Sequence, residues 1–270
     1  MKLRRQHPAH APAAAWRWAW LGASLGLVVA VLMGAPARWL TWGVAQASQQ
    51  HVVLPSARGS VWEGSAQLVL SGGEGSRDAQ ALPGRIHWKI QPGWLSLRLR
   101  LQADCCMHAP THMVLCASLS GVSLTVDAHS SQWPAALLSG LGAPWNTLQP
   151  EGQLQLHTDT LGLKWAEGRL QVQGLVELQA QGMSSRLSTL RPIGSYQIQL
   201  RGTAQGSPTP ELKLSTLQGP LQLTGQGQWV GARLRFTGEA SADEGSESAL
   251  SNLLNIIGRR EGARSLLSLG

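Results

Sequence analysis

The chain has 270 residues, with 22 basic and 15 acidic side chains and a net charge of +7. Four of the basic residues, Lys2, Arg4, Arg5 and Arg17, precede an uncharged stretch, so the remainder carries 18 basic against 15 acidic residues. That mild excess is dispersed, and the twelve tryptophans are not interleaved with it as in a base-stacking platform, which argues against a nucleic-acid partner.

Residues 1–17 read as a short basic cytoplasmic tail. The uncharged run Trp18–Ala37 then has about the length a helix needs to cross a bilayer core. The spacing predicts a transmembrane helix over 18–42, flanked by Trp16, Trp18 and Trp20 on one side and Trp39 and Trp42 on the other. No acidic residue occurs before Glu63, so the positive-inside rule leaves the N-terminus in the cytoplasm and exports the chain beyond Arg38. A cleaved signal peptide ending at Ala45-Gln46-Ala47 and a buried soluble helix are the competing readings. The run is long for the first, and the second needs no such length without charge. Residues 43–262 are assigned to one exported domain and 263–270 to a loose tail.

From about Ser48 the pattern changes to period two. Leu95, Leu97, Leu99 and Leu101 alternate with Ser96, Arg98 and Arg100, the mark of a strand with one buried face. Ile86, Trp88 and Ile90 alternate before them, and Gln91-Pro92-Gly93 reads as the turn between the two strands. Further strands are predicted over 61–70, 121–127, 153–157, 169–173, 176–181, 196–201, 212–217, 220–225 and 232–238. Turn signals such as Gly152, Gly162, Gly174, Gly202, Pro208-x-Pro210 and Gly231 separate them. Two helices are predicted, Ser131–Leu141 with Pro134 in its first turn and the amphipathic Ser248–Ile257 closed by Gly258. The fold class is therefore mainly β: an N-terminal membrane helix, then one strongly curved antiparallel meander with one or two short helices.

The sequence holds no G-x-S-x-G elbow, no phosphate loop and no H-E-x-x-H helix, and its few acids are scattered. No catalytic, cofactor-binding or metal site is assigned, and the chain is not read as an enzyme. Cys105, Cys106, His108, His112 and Cys116 are soft and borderline metal ligands within a dozen residues. No C-x-x-C pair frames them and Pro110 separates the histidines, so a disulfide is preferred. Either Cys105 or Cys106 pairs with Cys116 across a hairpin, or the odd thiol pairs outside the chain.

Arg58-Gly59-Ser60-Val61-Trp62-Glu63-Gly64 resembles a G-[ST]-[VI]-W-x-G turn of the protein N family of the type II (general) secretion pathway. His87–Leu95 is similar to that family's W-x-h-x-P-x-x-h hairpin, and Leu190–Tyr196 to its L-x-P-h-G-x-Y segment. Thr216–Gly227 is similar to its T-x-x-G-x-L-x-h-x-G-x-G strand pair, and Phe236–Ala240 and Leu253–Arg259 to its closing strand and helix. The likenesses run from Leu54 to Arg260 in order. The resemblance implies a single-pass inner-membrane protein with its bulk in the periplasm. It implies an accessory role in export of folded proteins, partners among the platform subunits and the outer-membrane secretin, and no catalytic residues or cofactor. Within the turn, Gly59, Val61, Trp62 and Gly64 are read as structural, with partner contact as the other role. The alternative for the whole domain is a lipid or hydrophobe binder, because a Leu-rich inner face with little helix to cover it leaves an apolar groove.

Overall fold

The structure is a computed structural model that describes residues 13–119, 121–166, 169–202, 209–230 and 233–269. Most of the basic tail, Pro208, Gly231 and Gly270 lie outside the described residues.

Two helices open the chain, α1 (Ala13–Met33) and α2 (Ala37–Ala47). The continuous helix expected over 18–42 is thus divided. Pro36 stands just before α2 with extended backbone, and the residue before a proline is pushed out of the helical region. Every described residue of α1 from Trp18 onward is exposed, whereas α2 buries Ala37 and Ala45. Among the described residues, no helix is long and apolar enough to cross a membrane.

Five short strands come after α2: β1 (Val52–Val53), β2 (Arg58–Gly59), β3 (Glu63–Ala66), β4 (Val69–Ser71) and β5 (Ala79–Ala81). Next come β6 (Ile86–Gly93), β7 (Ser96–Ala103), β8 (Thr111–Ser118), β9 (Gly121–Val126) and β10 (His129–Pro134). A 3-10 helix (Ala135–Leu141) and the single turn α3 (Trp145–Leu148) lead into β11 (Glu151–Thr158), β12 (Leu161–Ala166) and β13 (Arg169–Gln173). The chain ends with β14 (Leu175–Ser184), β15 (Gly194–Arg201), β16 (Glu211–Gln218), β17 (Leu221–Val230), β18 (Arg233–Ala242), α4 (Glu247–Ile257), β19 (Arg259–Glu261) and β20 (Arg264–Leu269).

The strands form three antiparallel sheets rather than the one strongly curved sheet expected. They are β1-β4-β5, β13-β12-β9-β8-β7-β6-β3-β2, and β10-β11-β14-β15-β16-β17-β18-β20-β19. The two large sheets share three long runs of chain, 121–134, 151–166 and 169–184. Each run gives one strand to each sheet, and each is interrupted at the same level, at Asp127-Ala128, Asp159-Thr160 and Gly174. The register confirms the alignment, with Val126 opposite Leu161, His129 opposite Thr158 and Gly162 opposite Gln173. The Asp159 amide donates to the Leu175 carbonyl at 3.0 Å across the interruption. Strands that pass from one sheet to another through bends make corners of this kind. Gly174 has φ +100°, and a Cβ there would lie 2.4 Å from the Thr160 carbonyl oxygen, so the bend requires glycine.

Three apolar clusters hold the layers. Leu250, Leu253 and Leu254 of α4 pack on Ile193, Tyr196, Leu221 and Ala240 of the nine-stranded sheet. Leu137 of the 3-10 helix meets Leu82, Ala103, Cys106 and Met107. Ala37 of α2 packs with Leu54, Ala66 and Trp88 over the eight-stranded sheet.

Several local expectations change. The first part of the helix expected at Ser131–Leu141 is β10, because residues 129–134 pair fully with β11; only Ala135 onward turns into a 3-10 helix. The turn expected at Gln91–Gly93 lies instead at Trp94-Leu95, since Gly93 pairs with Ser96 and Pro92 with Leu97. Leu95 therefore sits in a turn with φ +56° and is not a core residue. The stretch 61–70 is split between β3 and β4, which belong to different sheets. The segment read as a loose tail supplies β20, which pairs with β18 from Phe236–Leu269 to Ser241–Arg264.

Candidate docking site around the N-terminal collar

The stretch Gly59–Gly64 fastens the end of α1 to the eight-stranded sheet. Helix ends leave carbonyls without partners inside the helix. The Trp62 indole donates to one of them, the Leu32 carbonyl, at 2.8 Å. The Val61 amide donates to the Ala35 carbonyl at 2.9 Å, and Pro36 bridges Ser60. Below this collar lies Trp88, buried, whose indole donates to the Val61 carbonyl at 3.0 Å and toward the Ser60 carbonyl at 3.3 Å. The Trp88 ring lies against Gly64, where a Cβ would come within 2.6 Å of it, and Gly59 holds φ +89°. Gly59, Val61, Trp62 and Gly64 are thus brought together as one structural unit.

The collar shares its end of the sheet with three hairpin ends. β2 runs up to the turn at 60–62 and β3 runs down. β6, β8 and β12 run up in the same sense to Trp94-Leu95, Leu119 and the end of β12. Trp94, Leu95, Leu119, Val122 and Trp165 are all exposed there, Trp94 by 94%. Sequence reasoning missed this cluster because Leu95 fits the period-two pattern of the strand behind it. The available signal was the pair Trp94-Leu95 placed directly after Pro92-Gly93.

On the polar face beside the collar lies an open depression of about 470 Å³ bordered by Arg58, Glu63, His87, Lys89 and Arg100. Lys89 pairs with Glu63 at 2.9 Å and the His87 ring lies 3.1 Å from the Asp104 carboxylate, all well exposed, so neither contact adds much stability.

Cys105 and Cys106 are bonded to each other, with an S–S distance of 2.07 Å, and Cys116 is free. The anticipated bridge to Cys116 does not form, for a topological reason. Cys105 and Cys106 lie in the β7–β8 loop, whereas Cys116 sits near the other end of β8 between Ser96 and Ser123. His112 pairs across the sheet with Arg100, and among the described residues no three His, Cys, Asp or Glu side chains converge as a metal site.

Elsewhere, Glu177 stands in a ladder of glutamines on the nine-stranded sheet, accepting from Gln179 at 2.6 Å and Gln199 at 3.1 Å. Hydrogen bonding from Gln179 foremost holds its carboxyl below the usual range. Burial pushes the Tyr196 phenol up, and its hydroxyl donates to the Ile193 carbonyl at 3.3 Å. The Leu223 amide donates to the Thr216 hydroxyl at 2.6 Å, and Leu221 is buried beneath α4. Within the segments 190–196 and 216–227, Ile193, Tyr196 and Leu221 pack in one cluster with α4.

The model of the type II secretion system protein N family matches residues 50–266, four-fifths of the chain and all of the collar turn. The chain belongs to the type II secretion system protein N family. No curated protein and no solved structure matches it. Membership of the protein N family marks the chain as a type II secretion component. The collar then joins α1, which precedes the family region, to the eight-stranded sheet within it.

Proposed function

We propose that this protein N family member is an accessory component of the type II secretion system held at the inner membrane by α1. Its N-terminus lies in the cytoplasm and its sheets in the periplasm. There it assists export of folded proteins by contacts with the inner-membrane platform subunits and the outer-membrane secretin. The observation that carries the membrane seat is the exposure of α1. Every residue from Trp18 to Gly34 faces outward, and the run Trp18–Ala37 has no charge. An apolar helix bare on all sides needs an apolar surrounding. The uncharged run Trp18–Ala37, about twenty residues, has the length read in the sequence as a bilayer crossing, and α1 supplies its part from Trp18 to Met33. The basic residues before it favour the stated orientation. Anchoring also raises the local concentration of the domain beside its partners.

A second reading has its own support. Leu97 and Leu115 on the apolar face of the eight-stranded sheet are exposed, and that face is covered by α2 only toward Trp88. An uncovered apolar face fits a lipid or other hydrophobe bound in the periplasm. One experiment separates the two. Tagged full-length protein is isolated from mild detergent and its co-purifying proteins and lipids are identified. Platform or secretin subunits without retained lipid are expected. Retained lipid without such subunits would replace the first reading by the second.

A further inference from the structure

The end of the eight-stranded sheet that receives α1 differs chemically from the opposite end. Across β7, β8, β9 and β12 the apolar residues continue from strand to strand. The Ala117 amide donates to the Leu95 carbonyl at 2.9 Å, Ala117 pairs with Val122, and Val122 pairs with Trp165. Trp94 and Leu119 stand beyond this row at the hairpin ends, and both are exposed. The opposite end of the same strands carries exposed Asp104, Asp127 and Asp159. Near the apolar end the exposed charges are mostly cationic, Arg58, Lys89, Arg98 and Lys164, and the one carboxylate among them, Glu63, is paired with Lys89. The last turn of α1 is fastened at this apolar end, through Trp62 to the Leu32 carbonyl and Val61 to the Ala35 carbonyl.

We propose that Trp94, Leu95, Leu119 and Trp165 form a rim seated in the headgroup layer of the leaflet from which α1 emerges. The inference rests on the membrane seat of α1 argued above. Tryptophan is favoured at that depth because its ring is apolar while its N–H stays near water. Exposed apolar patches rimmed by polar residues mark interaction surfaces, and here the nearest apolar phase is fixed by the helix that leaves the same end. Cations near the rim and carboxylates at the far end match an anionic lipid surface. The domain then stands on the bilayer by one end of its sheet, and the nine-stranded sheet reaches away from it through the shared runs.

The test is photo-crosslinking of the full-length protein. Benzoylphenylalanine replaces Trp94, Leu119 or Trp165 in turn, with Leu25 in α1 and His108 at the far end as references. Each protein is irradiated in vesicles of phosphatidylethanolamine and phosphatidylglycerol and in native membranes. Lipid adducts at 94, 119, 165 and 25, and none at 108, are expected. Lipid adducts at 25 alone, with positions 94, 119 and 165 joined to a second copy or to another protein, would overturn the rim and leave the membrane seat standing. Absence of lipid adducts at 25 would overturn both.

Discussion

At the scale of single residues, the collar is the most sharply determined part of the molecule. Gly64→Ala would place a methyl group 2.6 Å from both the Trp88 ring and the Arg58 carbonyl oxygen. Overpacking of this kind costs about 1–3 kcal/mol, so a fall in thermal midpoint of several degrees is expected by calorimetry. Gly162→Ala is the control. Its added Cβ would meet only the Gln173 side chain at 3.6 Å, and the midpoint should barely move. Trp62→Phe keeps a ring but removes the donor to the Leu32 carbonyl. A loss of about 1 kcal/mol at the junction is expected, seen as faster amide exchange around Gly34 and Ala35. Glu177 gives a pH signature. Its folded-state pKa is depressed, so its contribution is present above the ordinary carboxylate range and is lost as pH falls through the lower, folded value. Glu177→Gln should flatten the acid limb of a stability–pH curve; an unchanged limb would refute the role given to the glutamine ladder.

Among elements, the sequence was legible where a strand or helix carries its own period and its own stop. Arg169–Gln173 is a strand with the bounds expected, and α4 begins one residue before Ser248 and ends at Ile257 as its leucine spacing implied. Even there the stop has another cause than expected. Gly258 is extended rather than left-handed, and a Cβ on it would lie 2.5 Å from the Leu266 carbonyl. Legibility failed where pairing partners decide the structure. Ser131-Gln132-Trp133-Pro134 has a helix-start pattern but is claimed by β11, and Trp94-Leu95 is forced into a turn by the pairing of Pro92 with Leu97. The collar motif was legible as a unit, though its tie to the Leu32 carbonyl was not, because that contact joins residues thirty positions apart. The cysteines belong to this scale too, since strand polarity keeps Cys116 away from the β7–β8 loop. Alkylation of the unfolded but unreduced protein should modify one thiol, and a peptide holding both Cys105 and Cys106 should gain two more only after reduction.

For the whole molecule, the decisive feature is that the two large sheets share three runs of chain. No sequence period announces this, since period two continues on either side of each interruption. Asp127, Asp159 and Gly174 look like ordinary turn residues until the register aligns them. A bulky residue at Gly174 would press on the Thr160 carbonyl at the centre of the shared region. Gly174→Val is therefore expected to lower the stability of both sheets together, in a single unfolding transition read by hydrogen exchange in β7 and in β17. Loss of protection in one sheet alone would refute the coupling. Domains that meet across a non-covalent interface slide or swing against each other by default. Here a pull on the N-terminal helix passes through the collar into the first large sheet and crosses to the second along three adjacent, antiparallel lengths of main chain. Movement of one large sheet against the other would have to bend all three runs at once, so the two are expected to move as one body.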